Sequence, residues 1–554
     1  MLSKNLLTNS TSVGFPVVGT TIALFFVLRY VYRRYNSPLA KTPLSITNNF
    51  WLAHFGIVPP PNDHDDKLSE FLINVGQDTR QTPVSVLWSI MGTPTVLVNT
   101  LQGIKDVLID GQAKRKDKSN HGPPTNVQRG DFIRLIQNLV FGGPSINNTV
   151  GEDWRWRRHV LLPPFQPRQL VPNLLPYVSN RAKELLDLFS EHAENGTPVE
   201  LDEVFMNLTM DVINYYLYGR SDLNYDMVGG RTNLKNVHHH LGMGFMSPEA
   251  WLPFGINKTK WAQRNFRSAR ELLKDFINDS LDRAVKADDS STTKKTYPSV
   301  AAAAMASGRY DNPDRFDLIN DFLSLTFAGY DTTAHTLAFC FSELARHPEI
   351  QDKLVEQVRQ VLGPPPVDPA SITAEKLARM PYVTAVYRET MRKYPAVAFI
   401  PVHVNHDTPV DGTIVPAGAE IWCNLRGLQM NPSIFPNPDT FDPSRWLKPE
   451  QQQGNEMDDG FDKMVSGTSS SPSSSNDTSI VDADHQYNFP DLSFTLGQHS
   501  CLGKNLAILE LRTVIACTIN QYSLSLKPGT KINTKIVLTT KPRDGVWVHF
   551  KKRS

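Results

Sequence analysis

The chain has 554 residues, and its 57 basic residues are balanced by 56 acidic ones, which gives a formal net charge of +1. A charge so close to zero argues against nucleic-acid binding, because proteins of that class carry a basic surface. Four cysteines are too few for a disulfide scaffold, and a chain this long can bury a large core without one. A cysteine with a role is therefore expected to be a ligand or a nucleophile.

The N-terminal segment predicts a membrane helix. Residues 5–28 contain no charged side chain, and as a helix they would span roughly 36 Å, enough to cross a bilayer core. Lys4 precedes the segment and three arginines follow it within residues 29–34, so the positive-inside rule places the rest of the chain in the cytosol. A cleaved signal peptide is the alternative, but it needs a basic start and a small-residue cleavage site. We predict an anchor over residues 1–35.

The part that follows is predicted to be mostly helical. Residues 36–62 are Pro-rich and predict a linker with the start of the next domain. Residues 84–100 place apolar runs on both sides of a Gly-Thr-Pro sequence, which predicts a β-hairpin. Residues 101–280 are mostly helical in period, with a loop at 111–130. Residues 284–313 are polar and rich in Ala and Ser, and they predict an exposed loop.

The second half of the chain predicts further elements from apolar periodicity and flanking prolines. They are a long buried helix from about Phe316 to Arg346, a helix over about 375–393, short strands over 396–425 and a helix that begins near Leu502. Residues at about 450–488 break this pattern, because eight of the fifteen residues from Val465 to Ser479 are serine. Such a segment cannot bury enough apolar area to fold. Together the patterns predict a mainly α fold with small peripheral β-sheets and one disordered insertion.

A cysteine between two glycines precedes the last predicted helix. The N-terminus of a helix stabilises a thiolate such as that of Cys501 through its dipole and its free N–H groups. Gly497 allows a tight turn, and Gly503 lets a flat ligand approach the backbone closely. Taken alone, the pattern is equally compatible with a buried structural cysteine beside a helix cap. A zinc site is not favoured, because no second Cys or His lies at zinc spacing.

The segment from Phe494 to Gly503 resembles the haem-binding loop of the cytochrome P-450 family of haem-thiolate monooxygenases. Four other motifs of that family occur in the expected order. They are Trp154 with Arg158, the segment Ala328–Thr333, Glu389 with Arg392, and the segment Pro438–Trp446. The resemblance runs from about residue 50 to the C-terminus. It implies the cytochrome P-450 fold, with residues 63–554 as the catalytic domain.

The resemblance also implies the cofactor and the chemistry. The cofactor would be haem b, with its iron bound through the Cys501 thiolate, a ligand that favours O–O cleavage. Thr332 would steady dioxygen and Asp331 would relay protons. Both are poor residues for the middle of a helix unless their side chains have another task. For this pair alone, the alternative is a helix kink with a threonine bonded back to its own helix.

The resemblance places further residues at the haem. Trp154 and Arg158 lie one helical turn apart and would both reach a haem propionate. His499 and His403 stand where relatives usually have arginines that contact the propionates. The remaining residues of the loop expected to contact the cofactor are Phe494, Gly497 and Gly503.

Other conspicuous residues are not expected to take part in the chemistry. Glu389 and Arg392 share a helix face, and Arg445 can tie a distant loop to them, so this triad is expected to be structural. Three consecutive histidines, residues 238–240, point in different directions on a helix and predict a solvated face. The apolar stretch 243–254 is equally compatible with ordinary core and with a surface that touches the membrane.

We therefore predict a membrane-anchored monooxygenase that inserts one oxygen atom into a lipophilic small molecule. Electrons would come from NADPH through a flavoprotein reductase, with cytochrome b5 as a second donor. Arg155, Arg157 and Lys504 would meet the acidic surface of that partner. The protein would be single-pass in the endoplasmic reticulum membrane, facing the cytosol. The rival is a haem-binding sensor or carrier without turnover, which has no use for an acid–alcohol pair.

Overall fold

The computed structural model describes residues 25, 27–29, 31–42, 66–77, 83–88, 93–113, 125–130, 134, 142–219, 259–288, 299–311, 315–452, 489–536 and 538–553. Three predictions fall outside these ranges: most of the anchor, the stretch 243–254 with the neighbouring histidines, and nearly all of the insertion at about 450–488. Within the described ranges, no helix combines the length and the apolarity that a bilayer crossing requires.

Helices make up most of the described chain. They are α1 (Lys67–Gly76), α2 (Leu101–Lys105), α3 (Gly151–Leu161), α4 (Pro167–Asn195), α5 (Leu201–Tyr218), α6 (Arg264–Asp288), α7 (Val300–Ala306), α8 (Phe316–Arg346), α9 (Pro348–Leu362), α10 (Ala374–Ala378), α11 (Pro381–Lys393), α12 (Leu425–Gln429), α13 (Pro449–Gln452) and α14 (Lys504–Gln521). The strands are short and fewer in residues, as the sequence predicts.

The strands form small sheets. They are β1 (Val84–Trp88), β2 (Pro94–Val98), β3 (Val127–Arg129), β4 (Val199–Glu200), β5 (Ile400–Val404), β6 (Thr408–Val410), β7 (Thr413–Val415), β8 (Glu420–Cys423), β9 (Tyr522–Leu526), β10 (Thr534–Ile536), β11 (Thr540–Pro542) and β12 (Trp547–Lys552). The largest has the order β1-β2-β8-β5-β3, and a second has the order β4-β12-β9.

The largest sheet joins distant parts of the chain. The predicted hairpin is confirmed, because β1 and β2 pair antiparallel. β8 then joins β2 in parallel, and β5 pairs antiparallel with both β8 and β3. β3 lies inside the segment 111–130 that the sequence predicts as a loop, because its three residues carry too short a pattern to signal a strand. The sheet therefore brings β3 next to the strands that follow α11.

The predicted long helix is confirmed with its predicted bounds, since α8 begins at Phe316 and ends at Arg346. Nearly all of its residues are buried, and it packs against α5, α11 and α14. A proline begins the next helix, α9, as the punctuation of the sequence indicates. α8 is the central helix around which the described helices are arranged.

Where the structure describes residues 284–313, the predicted exposed loop is wrong as far as Ala306, because α6 continues to Asp288 and α7 occupies Val300–Ala306. Residues 289–298 and 312–314 lie outside the described ranges. The Ser299 hydroxyl accepts from the Ala302 N–H and caps α7. Small alanine side chains then let the helix pack closely, and most of its residues are buried. The predicted helix over 375–393 is in fact two, because Pro381 begins a new helix at α11.

Candidate active site

Cys501 lies in a tight loop that leads directly into α14. Its backbone N–H donates to the Phe494 carbonyl oxygen at 2.8 Å, which closes the loop over the turn at Gly497–His499. Gly503 is the N-cap of α14, so the helix begins within two residues of the predicted start. The Gly503 N–H donates to the Cys501 sulfur. Cys501 is exposed, whereas the three other cysteines are buried.

Charge also distinguishes Cys501 from the other thiols. Although Cys501 is exposed at its surface, the protein atoms crowded around it remove water and raise its pKa, whereas the Gly503 N–H and the charges of Arg158 and Lys504 act in the opposite direction. Burial raises the pKa of both Cys340 and Cys517 to about 12. Since thiolates are the ligands of soft metals, Cys501 is the cysteine suited to hold one.

The two glycines of the loop do different work. Gly497 has φ +72°, and a Cβ there would collide with the Leu108 carbonyl oxygen, so only glycine fits the turn. Gly503 has an ordinary negative φ, and no atom lies within 4 Å of the place where a Cβ would stand. The space beside Gly503 is therefore open, as the approach of a flat ligand requires.

Three predicted side chains meet beside the cysteine. Arg158 donates to the Ser500 carbonyl oxygen at 3.0 Å and to the Ser500 hydroxyl at 3.2 Å. The rings of Trp154 and His499 lie with their centroids 4.1 Å apart. α3 thus supplies two residues, one turn apart, that contact two consecutive residues just before Cys501. That Trp154 and Arg158 share one ligand stays a prediction.

A fourth residue, Arg129 of β3, was missed by the sequence analysis. Burial and the charge of Arg158 lower the pKa of Arg129 to about 10. Burial, Arg129 and Arg158 together lower the pKa of His499 to about 2, so this histidine is neutral. We call Arg129, Trp154, Arg158 and His499 the Cys501 cluster. No motif flags Arg129, because its position depends on the pairing of β3 with β5, which lies more than 270 residues further along the chain.

The Cys501 cluster is short of negative charge. The Nε atom of Arg129 and the Nδ1 atom of His499 are buried without a hydrogen-bond partner among the described residues. Buried polar atoms in proteins are nearly always paired, so such orphans point to a partner that binds later. Two guanidinium groups and an imidazole that face one space favour a ligand with anionic groups.

His403 does not join this cluster. Its Nδ1 lies 3.9 Å from Glu420 Oε2 on the neighbouring strand β8. In the register of β3 and β5, Gln128 is opposite His403, whereas Arg129 is opposite Val402. Since successive side chains of a strand point to opposite faces, His403 and Arg129 lie on different faces of the sheet. Arg129 therefore lies near His499 and on the strand face opposite to that of His403. Contact of His403 with a propionate stays a prediction.

The acid–alcohol pair lies on the central helix α8. Thr332 is one of the few partly exposed residues there, and Ala328, one turn before it, is exposed. The Thr332 hydroxyl donates to the Ala328 carbonyl oxygen at 3.0 Å, the back-bonded geometry that the sequence allowed as an alternative. Asp331 is buried, and its Oδ2 accepts a hydrogen bond from the Thr539 hydroxyl. The two side chains thus point to different surroundings.

The glycine beside this pair has a packing role. A Cβ on Gly329 would come within 2.5 Å of Ile213 of α5, so the missing side chain lets α5 and α8 approach closely. The exposed face of α8 in this region is the one that carries Ala328 and Thr332.

The structural triad is found as predicted. Arg392 donates to both carboxylate oxygens of Glu389, at 2.9 and 2.8 Å, and both side chains are fully buried. Arg445 Nε lies 3.4 Å from Glu389 Oε1, and the Trp446 indole donates to Oε2 at 2.9 Å. The triad ties the loop that follows Pro438 to α11. Within it, Glu389 and Arg392 are fully engaged with each other and with their neighbours.

The prediction that Arg157 would face a redox partner is wrong. Its side chain is 2% exposed, and its guanidinium pairs with Asp317 and Asp321 of α8, each at 2.7 Å. Residues 155 and 157 point away from each other because they are two apart on a helix. Arg155 remains at the surface, where it pairs with Glu152. The helix therefore uses Arg157 to fix α3 against α8.

The fold and the site define a mainly helical protein built to hold a flat, anionic cofactor through a thiolate. The family model of Cytochrome P450 matches residues 69–546, and the chain belongs to that family. Among curated proteins, "Cytochrome P450 4A10" of Rattus norvegicus is 27% identical over 417 residues, 73% of each chain. "Cytochrome P450 714B2" of Oryza sativa subsp. japonica is 23% identical over 424 residues, 76% of this chain and 70% of that one. "Cytochrome P450 4V2" of Mus musculus is 22% identical over 565 residues, 97% and 95% of the two chains.

The protein is accordingly a monooxygenase whose cofactor is a haem bound through a cysteine thiolate. The residues around Cys501 fit this cofactor. The open side of Gly503 accommodates a flat ring, and the orphaned Nε of Arg129 and Nδ1 of His499 match the anionic propionates. Arg158 carries the second guanidinium of the site.

Proposed function

We propose that the protein inserts one atom of dioxygen into a lipophilic small molecule, by hydroxylation or epoxidation, with electrons from NADPH. One observation carries this proposal. The accessible Cys501 lies at the start of α14, and α14 packs against α8, the helix whose single open face carries Thr332. Such a reaction would need a thiolate to hold the cofactor and an alcohol near it.

Cys501 would be the iron ligand, and the haem would supply the oxygen chemistry, with the thiolate favouring O–O cleavage. The Gly503 N–H donates to the sulfur and so withdraws some of its negative charge. Lys504 stands over the Phe494 ring at 5.5 Å, next to the thiolate. These contacts hold the sulfur in one position and tune its charge.

The Cys501 cluster would hold the haem propionates. Arg129 and Arg158 provide charge-assisted donors, and His499 provides a neutral donor. Arg158 is already oriented by Ser500, which precedes the ligand, so the loop and the propionate site are fixed together. His403 is not part of this proposal, because its strand face is different.

Thr332 would orient dioxygen and Asp331 would provide protons. The Thr332 hydroxyl uses its proton on the Ala328 carbonyl and keeps its lone pairs free to accept. In this state the hydroxyl would accept a hydrogen bond from a protonated group in the active site and hold that group in place. Asp331 is next to Thr332 on the helix, but its side chain contacts Thr539 and His335. Its proton would therefore come from within the protein.

A matched pair of threonines tests this role. Thr336, one turn further along α8, makes the same back-bond, to the Thr332 carbonyl oxygen at 2.8 Å, but it is buried. We expect Thr332→Ala to consume NADPH with more peroxide and about tenfold less product. Thr336→Ala should keep the wild-type ratio of product to NADPH. Equal ratios in the two variants would contradict the role of Thr332.

The electron donor would be a flavoprotein reductase, with cytochrome b5 as a second donor, in the endoplasmic reticulum membrane. Arg155 and Lys504 are the candidate contacts on the cysteine side; Arg157 is excluded by its burial. Residues 1–35 would be a single-pass anchor. Deletion of residues 1–35 should release the protein from membranes only in part, with salt-resistant binding left through residues 243–254. Complete release would show that residues 243–254 are core.

A haem-binding sensor or carrier is the alternative function. It would bind haem through the same cysteine but would have no use for an alcohol on the open face of α8. The experiment supplies NADPH, the reductase and a panel of lipophilic compounds and measures oxygenated product. Substrate-induced shifts of the haem spin state choose the panel. Haem binding without NADPH consumption by any compound would favour the sensor.

A further inference from the structure

A buried histidine lies between the acid of the active site and the protein surface. His335 is one helical turn after Asp331 on α8, and its Nε2 lies 3.4 Å from Asp331 Oδ1. Its Nδ1 lies 2.6 Å from Asp202 Oδ1, in the first turn of α5. One imidazole therefore faces a carboxylate with each ring nitrogen.

Solvent reaches only the outer end of this row. The side chain of Asp202 is 18% exposed, whereas those of His335 and Asp331 are 3% and 4% exposed. Glu200 caps α5 and accepts from the Asp202 N–H at 3.2 Å, which fixes the outer carboxylate at the helix start. At the inner end, Thr539 donates to Asp331 from the loop before β11. The row runs from the surface to the residue beside Thr332.

We propose that Asp202 and His335 are positioning residues that carry protons from solvent to Asp331, so that the path of protons into the active site runs along this row. The proposal rests on the proposed monooxygenase function and adds to it the route by which the acid is refilled. In each turnover one oxygen atom enters the product and the other leaves as water, which consumes two protons. A route for protons into the active site must therefore exist in the protein.

The charge state of His335 suits this role. Burial lowers its pKa, but Asp331 on α8 and Asp202 on α5 outweigh that effect and raise the pKa to about 9. These two carboxylates are the charged groups that act on the ring, and the group that reaches Asp331 from the β11 side is a neutral hydroxyl. At neutral pH the ring is therefore charged and has a proton to give.

The transfer is balanced without any other reactant. The Nε2–H bond of His335 breaks and an O–H bond forms on Asp331, which passes its proton to the active site. Asp202 takes a proton from solvent and gives it to the ring nitrogen that faces it after the ring turns over. One proton enters at Asp202 and one leaves at Asp331, and no electron moves.

A second histidine, at the C-cap of the same helix, offers a matched control. His347 lies at the end of α8 between Glu349 at 3.0 Å and Glu343 at 3.4 Å, so it repeats the carboxylate–imidazole–carboxylate arrangement. It is far along the helix from Thr332 and plays no part in the proposed row. His335→Gln and His347→Gln therefore remove the same kind of group in two different places.

The test compares product formed per NADPH across pH 6 to 10, with the reductase in excess. Wild type and His347→Gln should form much product per NADPH at low pH. This ratio should fall as pH rises through about 9, where His335 loses its charge. His335→Gln should form about fivefold less product per NADPH, and this ratio should show no such fall near pH 9. Asp202→Asn keeps the ring but removes one carboxylate, so the fall should occur at a lower pH.

If His335 had only a structural role, its replacement would lower the yield or the stability of the protein without changing the pH at which product formed per NADPH falls. The proposal is overturned if His335→Gln forms as much product per NADPH as wild type, or if this ratio still falls at the wild-type pH. If His335→Gln does not fold, Asp202→Asn decides alone, and a fall at an unchanged pH overturns the proposal. A wild type that forms no product with any substrate overturns both the proposed function and this route, whereas an active wild type with unaffected variants overturns the route alone.

Discussion

The triad of Glu389, Arg392 and Arg445 and the Cys501 cluster use arginine in opposite ways. In the triad, Arg392 meets both oxygens of Glu389 and three carbonyl oxygens, so its charge is neutralised and its donors are saturated. In the Cys501 cluster, Arg129 has a buried Nε without a partner among the described residues, and the charge of Arg158 lowers its pKa. The Arg392 guanidinium is balanced by a carboxylate, whereas the Arg129 guanidinium lies near another cation.

The neighbouring charge distinguishes the two regions without reference to motifs, since a carboxylate faces Arg392 whereas a second guanidinium acts on Arg129. An Nε atom without a partner is not enough by itself, because the Nε atom of Arg157 is also buried without a hydrogen-bond partner among the described residues. A buried cation with a full set of acceptors contributes to the fold, and its removal leaves a carboxylate unpaired. A buried cation with orphaned donors costs free energy until a ligand arrives, and its removal affects binding. The predictions below test this distinction.

The largest effect is expected at the triad. Arg392→Met leaves Glu389 buried without its main partner, and we expect a loss of about 3–5 kcal/mol in the free energy of unfolding. Denaturant unfolding followed by circular dichroism measures it. The double variant Glu389→Met with Arg392→Met should recover part of the loss, because no unpaired charge remains. A double variant less stable than the single one would contradict the account.

The next effect is a pH dependence of stability at His335. Its pKa is raised from 6.5 to about 9, so its contribution is fully present below pH 6.5 and is lost as pH rises through about 9. The contribution is at most about 3 kcal/mol. Unfolding free energies of wild type and His335→Gln should therefore differ at pH 6 and converge by pH 10. Parallel curves would show that the ring is not charged.

A smaller effect separates the Cys501 cluster from the triad. Arg158→Met removes a donor for the cofactor but leaves no carboxylate unpaired. We expect haem transfer to apomyoglobin to become about tenfold to a hundredfold faster, which corresponds to about 1.5–3 kcal/mol. The stability of the haem-free protein should change little. Faster haem loss together with a collapse of the haem-free protein would place Arg158 with the structural arginines.

The smallest effect concerns the open side of the loop. Gly503→Ala meets no atom within 4 Å in the protein itself, so any effect must come from the cofactor. We expect weaker haem retention by about 1 kcal/mol with unchanged stability of the haem-free protein. Gly497→Ala serves as the contrast, because its positive φ and the Leu108 carbonyl make it destabilise the haem-free protein as well. Identical behaviour of the two variants would show that Gly503 does not border the ring.

Local sequence patterns predict much of this site. The bounds of α8, the start of α14 and the roles of Glu389 and Arg392 follow from periodicity, punctuation and motifs, all of which are short-range signals. The place of Arg129 follows from a strand pairing across some 270 residues, which no local pattern encodes. The same pairing turned His403 towards Glu420. The pattern around α7 predicts a loop because serines flank the alanines, but alanine has the highest helix propensity and packs well in this helix.

The most direct test of the central claim is the spectrum of the ferrous protein under carbon monoxide. The wild type should show the red-shifted Soret band that a thiolate ligand gives, and Cys423→Ala, which removes a buried cysteine, should show the same band. Cys501→His should move the band to the position typical of globins. A Cys501→His variant that keeps the wild-type band would contradict the account, because another residue would then hold the iron.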